Sequence, residues 1–212
     1  TWPFDPAVKK RLLNDVAAMS DDTDHLPLLQ HCLYRLWDAM HTRWQANGRR
    51  QPVRIEPIDL KKAVGSGDED EKASLLRRCL ANHADALYSG LAPEKQQTAA
   101  EMFKLLAEVD EQGIHKRRWT TPEEIRAVTG AEFAAIEDIV RTFSEPHPYI
   151  RRDKTGATEV IDVSHESFIR NWRRFRQWLE EDRDLVGCYQ KLLQDSQGCQ
   201  RQLERKGTGF WK

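Results

Sequence analysis

The chain has 212 residues, is 39% hydrophobic and 32% charged, and carries 33 basic against 34 acidic side chains for a net charge of -1 at pH 7. That length suits one large or two small packed domains, and so even a charge balance gives no global pull toward nucleic acid or an anionic membrane. No apolar run approaches the ~20 residues of a membrane span, no secretory signal is visible, and Cys32, Cys79, Cys188 and Cys199 form neither a C-x-x-C pair nor a zinc-spaced cluster with histidine.

Reduced, cytoplasmic thiols are the simplest account of those cysteines; Cys188 and Cys199 on one helix would stand about 16 Å apart, beyond disulfide reach. The sequence opens on Thr1 without a methionine and reads as a piece of a longer protein. Pro3 and Pro6 precede a first helical stretch, to Met19, with Val8, Leu12, Leu13 and Val16 on one face. An acidic turn, Ser20 to Asp24, leads to a second helix from Leu26 to about Gln45. Its apolar stripe is expected to be Leu29, Leu33, Leu36, Trp37 and Met40, with Pro27 as a first-position proline in the opening turn.

A loop from Asn47 to Pro57 and a short helix, IDLKKAV, follow. Gly65 to Glu71, GSGDEDE, reads as the most solvated run and a flexible joint. Lys72 to Tyr88 is amphipathic and closes at Gly90. Pro93 to Asp110 reads as helix throughout, with Met102, Phe103, Leu105, Leu106 and Val109 apolar. RRWTT is expected to be a brief strand, Pro122 to Thr129 a short helix stopped by Gly130, and Ala131 to Phe143 a helix with Phe133, Ile136, Ile139 and Val140 inward. Tyr149 to Arg152 and Thr158 to Val163 pair around DKTGA as a hairpin. Helix, strand, helix, helix, hairpin is the winged-helix order, a helix-turn-helix variant. A further helix is expected from Leu185 to Lys206, ahead of the aromatic tail with Phe210 and Trp211.

The run VIDVSHESFIRNWRRFRQW, Val160 to Trp178, turns from strand to helix at a polar junction. Ser164 reads as the N-cap and His165 as a first-turn residue, while Phe168, Ile169, Trp172, Phe175 and Leu179 share a face. On spacing alone His165 is either a junction histidine bonded to the backbone or an anion ligand at the mouth of a helix. Arg170, about one turn on, is either structural or meets an acid from a neighbouring domain. Arg170, Arg173, Arg174 and Arg176 alternate with aromatics already assigned to the core and are followed by acids, which marks a solvated or interdomain face rather than a nucleic-acid patch.

In a winged helix the third helix usually enters DNA. Here it carries Glu132, Glu137 and Asp138 against Arg141, a poor match to phosphates, although Arg151, Arg152 and Lys154 keep a wing contact open. No catalytic constellation and no metal-ligand set appears: there is no G-x-x-x-x-G-K-[ST] loop and no apolar strand ending in acids to hold magnesium.

Together, VSHESFIRNW and LPLLQHCLYRLWD resemble the C-terminal half of the nucleotide-binding module of STAND NTPases, the NACHT and NB-ARC signalling ATPases, in the bacterial branch that often carries WD repeats. The resemblance covers nearly the whole chain. It implies a mainly α architecture, with a helical bundle domain over residues 1–91, a winged-helix domain with a small hairpin wing over 92–184, and a trailing helix and linker over 185–212. It also implies that His165 contacts the β-phosphate of ADP and that Pro27 lies against adenine; the residue before the leucine, small in the family, is His25 here. The implied cofactor is ADP or ATP in the full-length parent, with magnesium held by an upstream P-loop domain of the same chain. Downstream sensor repeats and self-assembly are the other implied partners, and this portion by itself is expected to be no enzyme and to hold no nucleotide tightly. The rival expectation is a free-standing winged-helix DNA-binding regulator.

Overall fold

In the computed structural model the described residues are 3–19, 23–49, 53–65, 74–109, 114–146, 148–156 and 158–183. The chain divides into two compact units, Thr1–Phe175 and Arg176–Lys212. In the second, residues 176–183 are helical. The expected helix from Leu185, Cys188 and Cys199, the aromatic tail and most of the GSGDEDE run lie outside the described residues.

The first unit is mainly helical with two small antiparallel sheets. It opens with α1 (Pro6–Ala18), α2 (His25–Ala46), α3 (Pro57–Val64) and α4 (Leu75–Ser89). Local chemistry explains the starts. Asp5 Oδ1 accepts the Ala7 N–H at 2.9 Å ahead of Pro6. Asp15, on α1, caps α4 from outside, accepting the Leu75 and Leu76 N–H groups at 3.2 and 2.9 Å and the Ser74 hydroxyl at 2.7 Å. The buried Asp59 receives Arg43 through Nε and Nη2 at 2.9 and 2.8 Å and the Glu56 N–H at 2.8 Å, which ties α3 to α2.

The periodicity of α2 misleads. Its buried face is Leu28, Cys32, Leu36, Ala39 and Met40, the side against which α3 and α4 pack. Leu33 and Trp37, assigned inward from spacing, stand 37% and 52% exposed, and with Leu26 and Leu29 they form a second apolar stripe on the outer side. The helix is apolar over more than half its circumference, so spacing alone does not choose the face. Leu13 on α1 is likewise exposed, while Val8 and Leu12 are buried.

The chain continues through α5 (Pro93–Leu105), β1 (Ala107–Val109), β2 (His115–Arg117), α6 (Pro122–Thr129), α7 (Phe133–Ser144), β3 (Ile150–Thr155), β4 (Thr158–Val163) and α8 (Glu166–Asn171). The helix expected to run to Asp110 stops at Leu105. Ala107 to Val109 instead pair antiparallel with Arg117 to His115. The brief strand expected at RRWTT begins earlier, at His115; further on the Arg118 N–H donates to Leu106 O at 3.0 Å and Thr120 bridges Ile161 with N–H···O distances of 2.9 and 2.7 Å. A capping box opens α6: the Thr121 hydroxyl oxygen accepts the Glu124 N–H at 3.1 Å and the Glu124 carboxylate accepts the Thr121 N–H at 3.2 Å. The Thr120 hydroxyl, donating at 2.7 Å, and the Thr121 N–H hold the Glu124 carboxyl below its usual value. Gly130 ends α6 at φ +67°, a left-handed cap that favours glycine. Ile136, Ile139, Val140 and Phe143 of α7 are buried, whereas Phe133, expected inward, is 43% exposed beneath the Arg126 guanidinium. The hairpin forms as expected, in the register Ile150↔Val163 to Thr155↔Thr158. An aromatic cluster of Phe103, Phe143, Phe168, Trp172 and Phe175 fills the centre, with Phe103 edge-on to Phe143 and Trp172 at 4.9 and 5.1 Å.

Candidate functional site

The polar junction between β4 and α8 is built from three successive residues with different tasks. Ser164, expected to cap the helix, sits one position too early. Its N–H donates to Tyr149 O at 2.9 Å and its hydroxyl to Pro148 O at 2.8 Å, closing the end of the hairpin. His165 takes the N-cap position in extended backbone, and its Nδ1 accepts the Ser167 N–H at 3.1 Å. With Nδ1 occupied as an acceptor, the proton of the neutral ring sits on Nε2, which makes Nε2–H a hydrogen-bond donor. Glu166 meets Arg117 of β2: Arg117 Nε donates to its carboxylate at 2.8 Å and Arg117 Nη1 to Asp162 and to Val163 O, both at 3.2 Å. Burial pushes the Glu166 carboxyl up, but the Arg117 hydrogen bond, a backbone N–H and the neighbouring charges outweigh it and hold it below its usual value.

The remainder of the run fixes α8 to the first helices. Asp24, only 3% exposed, accepts Arg170 through Nε at 2.8 Å and through Nη2, and accepts the Asn171 amide at 3.0 Å. The acid that Arg170 meets is therefore Asp24, at the start of α2. The helix is shorter than the periodicity suggests, because the backbone leaves helical geometry at Trp172 (φ -90°, ψ 105°) and becomes helical again from 173. Trp172 Nε1 and Arg174 Nε both donate to Asp85 on α4 at 2.9 Å, so the buried indole has its polar edge satisfied.

Pro27 and His165 both line one cleft of about 220 Å³. One wall, from α2, presents Pro27, Gln30 and His31, and another, from the ends of the hairpin and the start of α8, presents Pro148, Ser164 and His165. Pro27 is the third helical residue, not the first. Between the walls the buried Tyr149 hydroxyl donates to Leu80 O at 3.1 Å and lies 2.8 Å from His83 Nδ1 and 2.9 Å from His31 Nε2. Burial pushes this phenol well above its usual value near 10, with Cys79 and Asp85 adding to the effect and Arg35 opposing it, so it stays neutral at any working pH. Sequence reasoning missed His31, Tyr149 and Gln30; the polar pair Gln30–His31 next to the LPLL run was the available signal. His165 and Ser164 are part-exposed, and the cleft combines polar groups with the apolar side chains of Pro27, Leu80 and Phe168.

Among the described residues no group of three or more histidine, cysteine or acidic side chains is placed to hold a metal, and no helix is long and apolar enough to cross a membrane. A family model described as Novel STAND NTPase 1 matches residues 1–207. No curated protein and no solved structure matches the chain.

Proposed function

The chain belongs to the Novel STAND NTPase 1 family, and from that premise we propose that it is the regulatory part of an ATP/ADP-dependent signalling switch, holding one side of a bound nucleotide in the inactive state. One observation carries the reading: Pro27 and His165, far apart in sequence, line the same cleft. Its volume of about 220 Å³ falls below the ~300–1,000 Å³ of pockets that enclose a complete small-molecule ligand. A half-site is the natural interpretation. The pyrrolidine ring of Pro27 supplies a rigid apolar surface for the base, and the His165 Nε2–H supplies a donor to a β-phosphate oxygen. The phosphate loop and magnesium ligands that complete such a site are absent from this sequence and belong, on this reading, to an NTPase core elsewhere in the same protein. The outer stripe of α2, with Leu26, Leu33 and Trp37 exposed beside the cleft, offers an apolar surface for that core to cover.

On the same reading residues 1–91 act as a helical domain and 92–184 as a winged helix. The order α5, β1–β2, α6, α7 and the β3–β4 hairpin, with Thr120 bridging Ile161, supports the latter. Exchange of ADP for ATP in a cytoplasmic bacterial protein would withdraw the His165 contact and release the winged helix for self-assembly, with sensor repeats further along the chain controlling the step. A DNA-binding regulator is less well supported, because Glu137 and Glu159 pair with Arg152, and Asp162 pairs with Arg151, so two of the three wing cations are already engaged by acids.

The test is His165→Ala in the full-length protein. It should lose co-purifying ADP and shift toward larger assemblies, whereas unchanged nucleotide content and unchanged size would refute the assignment of His165.

A further inference from the structure

We propose that Asp24, Arg170 and Asn171 form a latch that holds the two walls of the cleft in register, making them positioning residues for Pro27 and His165. The tie to nucleotide affinity rests on the reading given under Proposed function; the latch itself rests on geometry alone.

Asp24 immediately precedes α2 and stands three residues before Pro27. An aspartate in the N-cap position ordinarily accepts the N–H of the second or third helical residue. Here the third is Pro27, which has no N–H, and the Asp24 carboxylate makes no capping bond. That carboxylate is freed for another partner, and a buried charge requires one. It takes both arms of the Arg170 fork and the Asn171 amide. Those residues end α8, whose other end begins at His165.

A six-residue helix has little rigidity of its own, and α8 is followed directly by the non-helical backbone of Trp172. Its direction is set by the buried Phe168 and Ile169 and by its two ends. Glu166 is held by Arg117 at the first turn, and Asp24 holds the last. With the Asp24 tie lost, His165 stays fixed by its neighbours Ser164 and Glu166, and the opening turn of α2 with Pro27 is the side that can move away from it. The latch joins the opening residues of α2 to the closing residues of α8, so the proline and the histidine move apart or together as one event.

Hydrogen exchange on this chain tests the latch without any ligand. Arg170→Ala should raise exchange of residues 25–31 and 168–171 together by about tenfold relative to wild type, while the α3 amides and the β3–β4 amides keep their rates. Arg170→Lys retains the charge but loses the two-armed geometry. It should give the same paired pattern at smaller amplitude, which separates release of the latch from loss of folding. Unchanged rates, a change in only one of the two segments, or a uniform rise across the chain would overturn the proposal.

Titration with ADP of the protein carrying its NTPase core forms the second arm. Affinity should fall about tenfold in Arg170→Ala, a difference of about 1.4 kcal/mol by the tenfold rule, and less in Arg170→Lys. Paired release with unchanged ADP affinity would disprove the coupling. If the wild type failed to bind ADP, the nucleotide reading would fall and exchange alone would decide the latch.

Discussion

Replacing Tyr149 by phenylalanine removes one oxygen from the place where α2, α4 and β3 meet, and the structure gives the cost. The hydroxyl has three polar neighbours, His83 Nδ1 at 2.8 Å, His31 Nε2 at 2.9 Å and Leu80 O at 3.1 Å. His83 is 8% exposed and has little access to compensating water, whereas His31 is half-buried and regains some. A net hydrogen bond contributes about 1 kcal/mol, and removing the partner of a buried polar group costs about 1–3 kcal/mol. Together these give a destabilisation of about 2–4 kcal/mol. The ring itself stays stacked on Phe168 at 4.4 Å between centroids, so no cavity term is added. In a unit of this size that corresponds to a fall in Tm of about 4–16 °C. Urea unfolding followed by aromatic fluorescence measures it directly. A loss below about 0.5 kcal/mol would show that the phenol does not pin these segments.

The same variant isolates a pH effect. The folded-state pKa of Tyr149 lies above the unfolded value near 10, so the stability owed to the neutral phenol is complete below that pH. Above it the unfolded chain releases the proton first, and stability declines. The stability gap between wild type and Tyr149→Phe should therefore be constant from pH 7 to 9 and narrow above pH 10, as read from unfolding midpoints; a constant gap would contradict the assignment. Thr121→Ala breaks the capping box of α6 and should cost about 1 kcal/mol, while Thr121→Ser should cost only a few tenths, as checked by thermal unfolding of both variants.

Much of the fold was legible because its signals are local. Pro6, Gly130 and the β-branched residues that follow the Gly156 turn each mark an element within a few positions. The misreadings have physical causes. Spacing on α2 is compatible with two apolar faces, and only the packing of α3 and α4 selects the one carrying Leu28, Cys32 and Leu36. Ala107 to Val109 follow a strong helical pattern and become strand through pairing with His115 to Arg117, a partner that periodicity does not reveal. Ser164 and His165 are adjacent and both can cap a helix. The outcome depends on the Pro148 carbonyl, which claims the serine hydroxyl. The site was half legible, since Pro27 and His165 stand in recognisable runs. By contrast, Asp24 meeting Arg170, and His31 and His83 meeting Tyr149, are long-range pairings that no local spacing encodes.

The most direct test of the switch reading is a structure of the protein with its NTPase core and ADP bound. The account predicts the base against Pro27 and His165 Nε2 about 2.7–3.1 Å from a β-phosphate oxygen. ADP bound wholly within the core, with Pro27 and His165 facing solvent or protein alone, would contradict it.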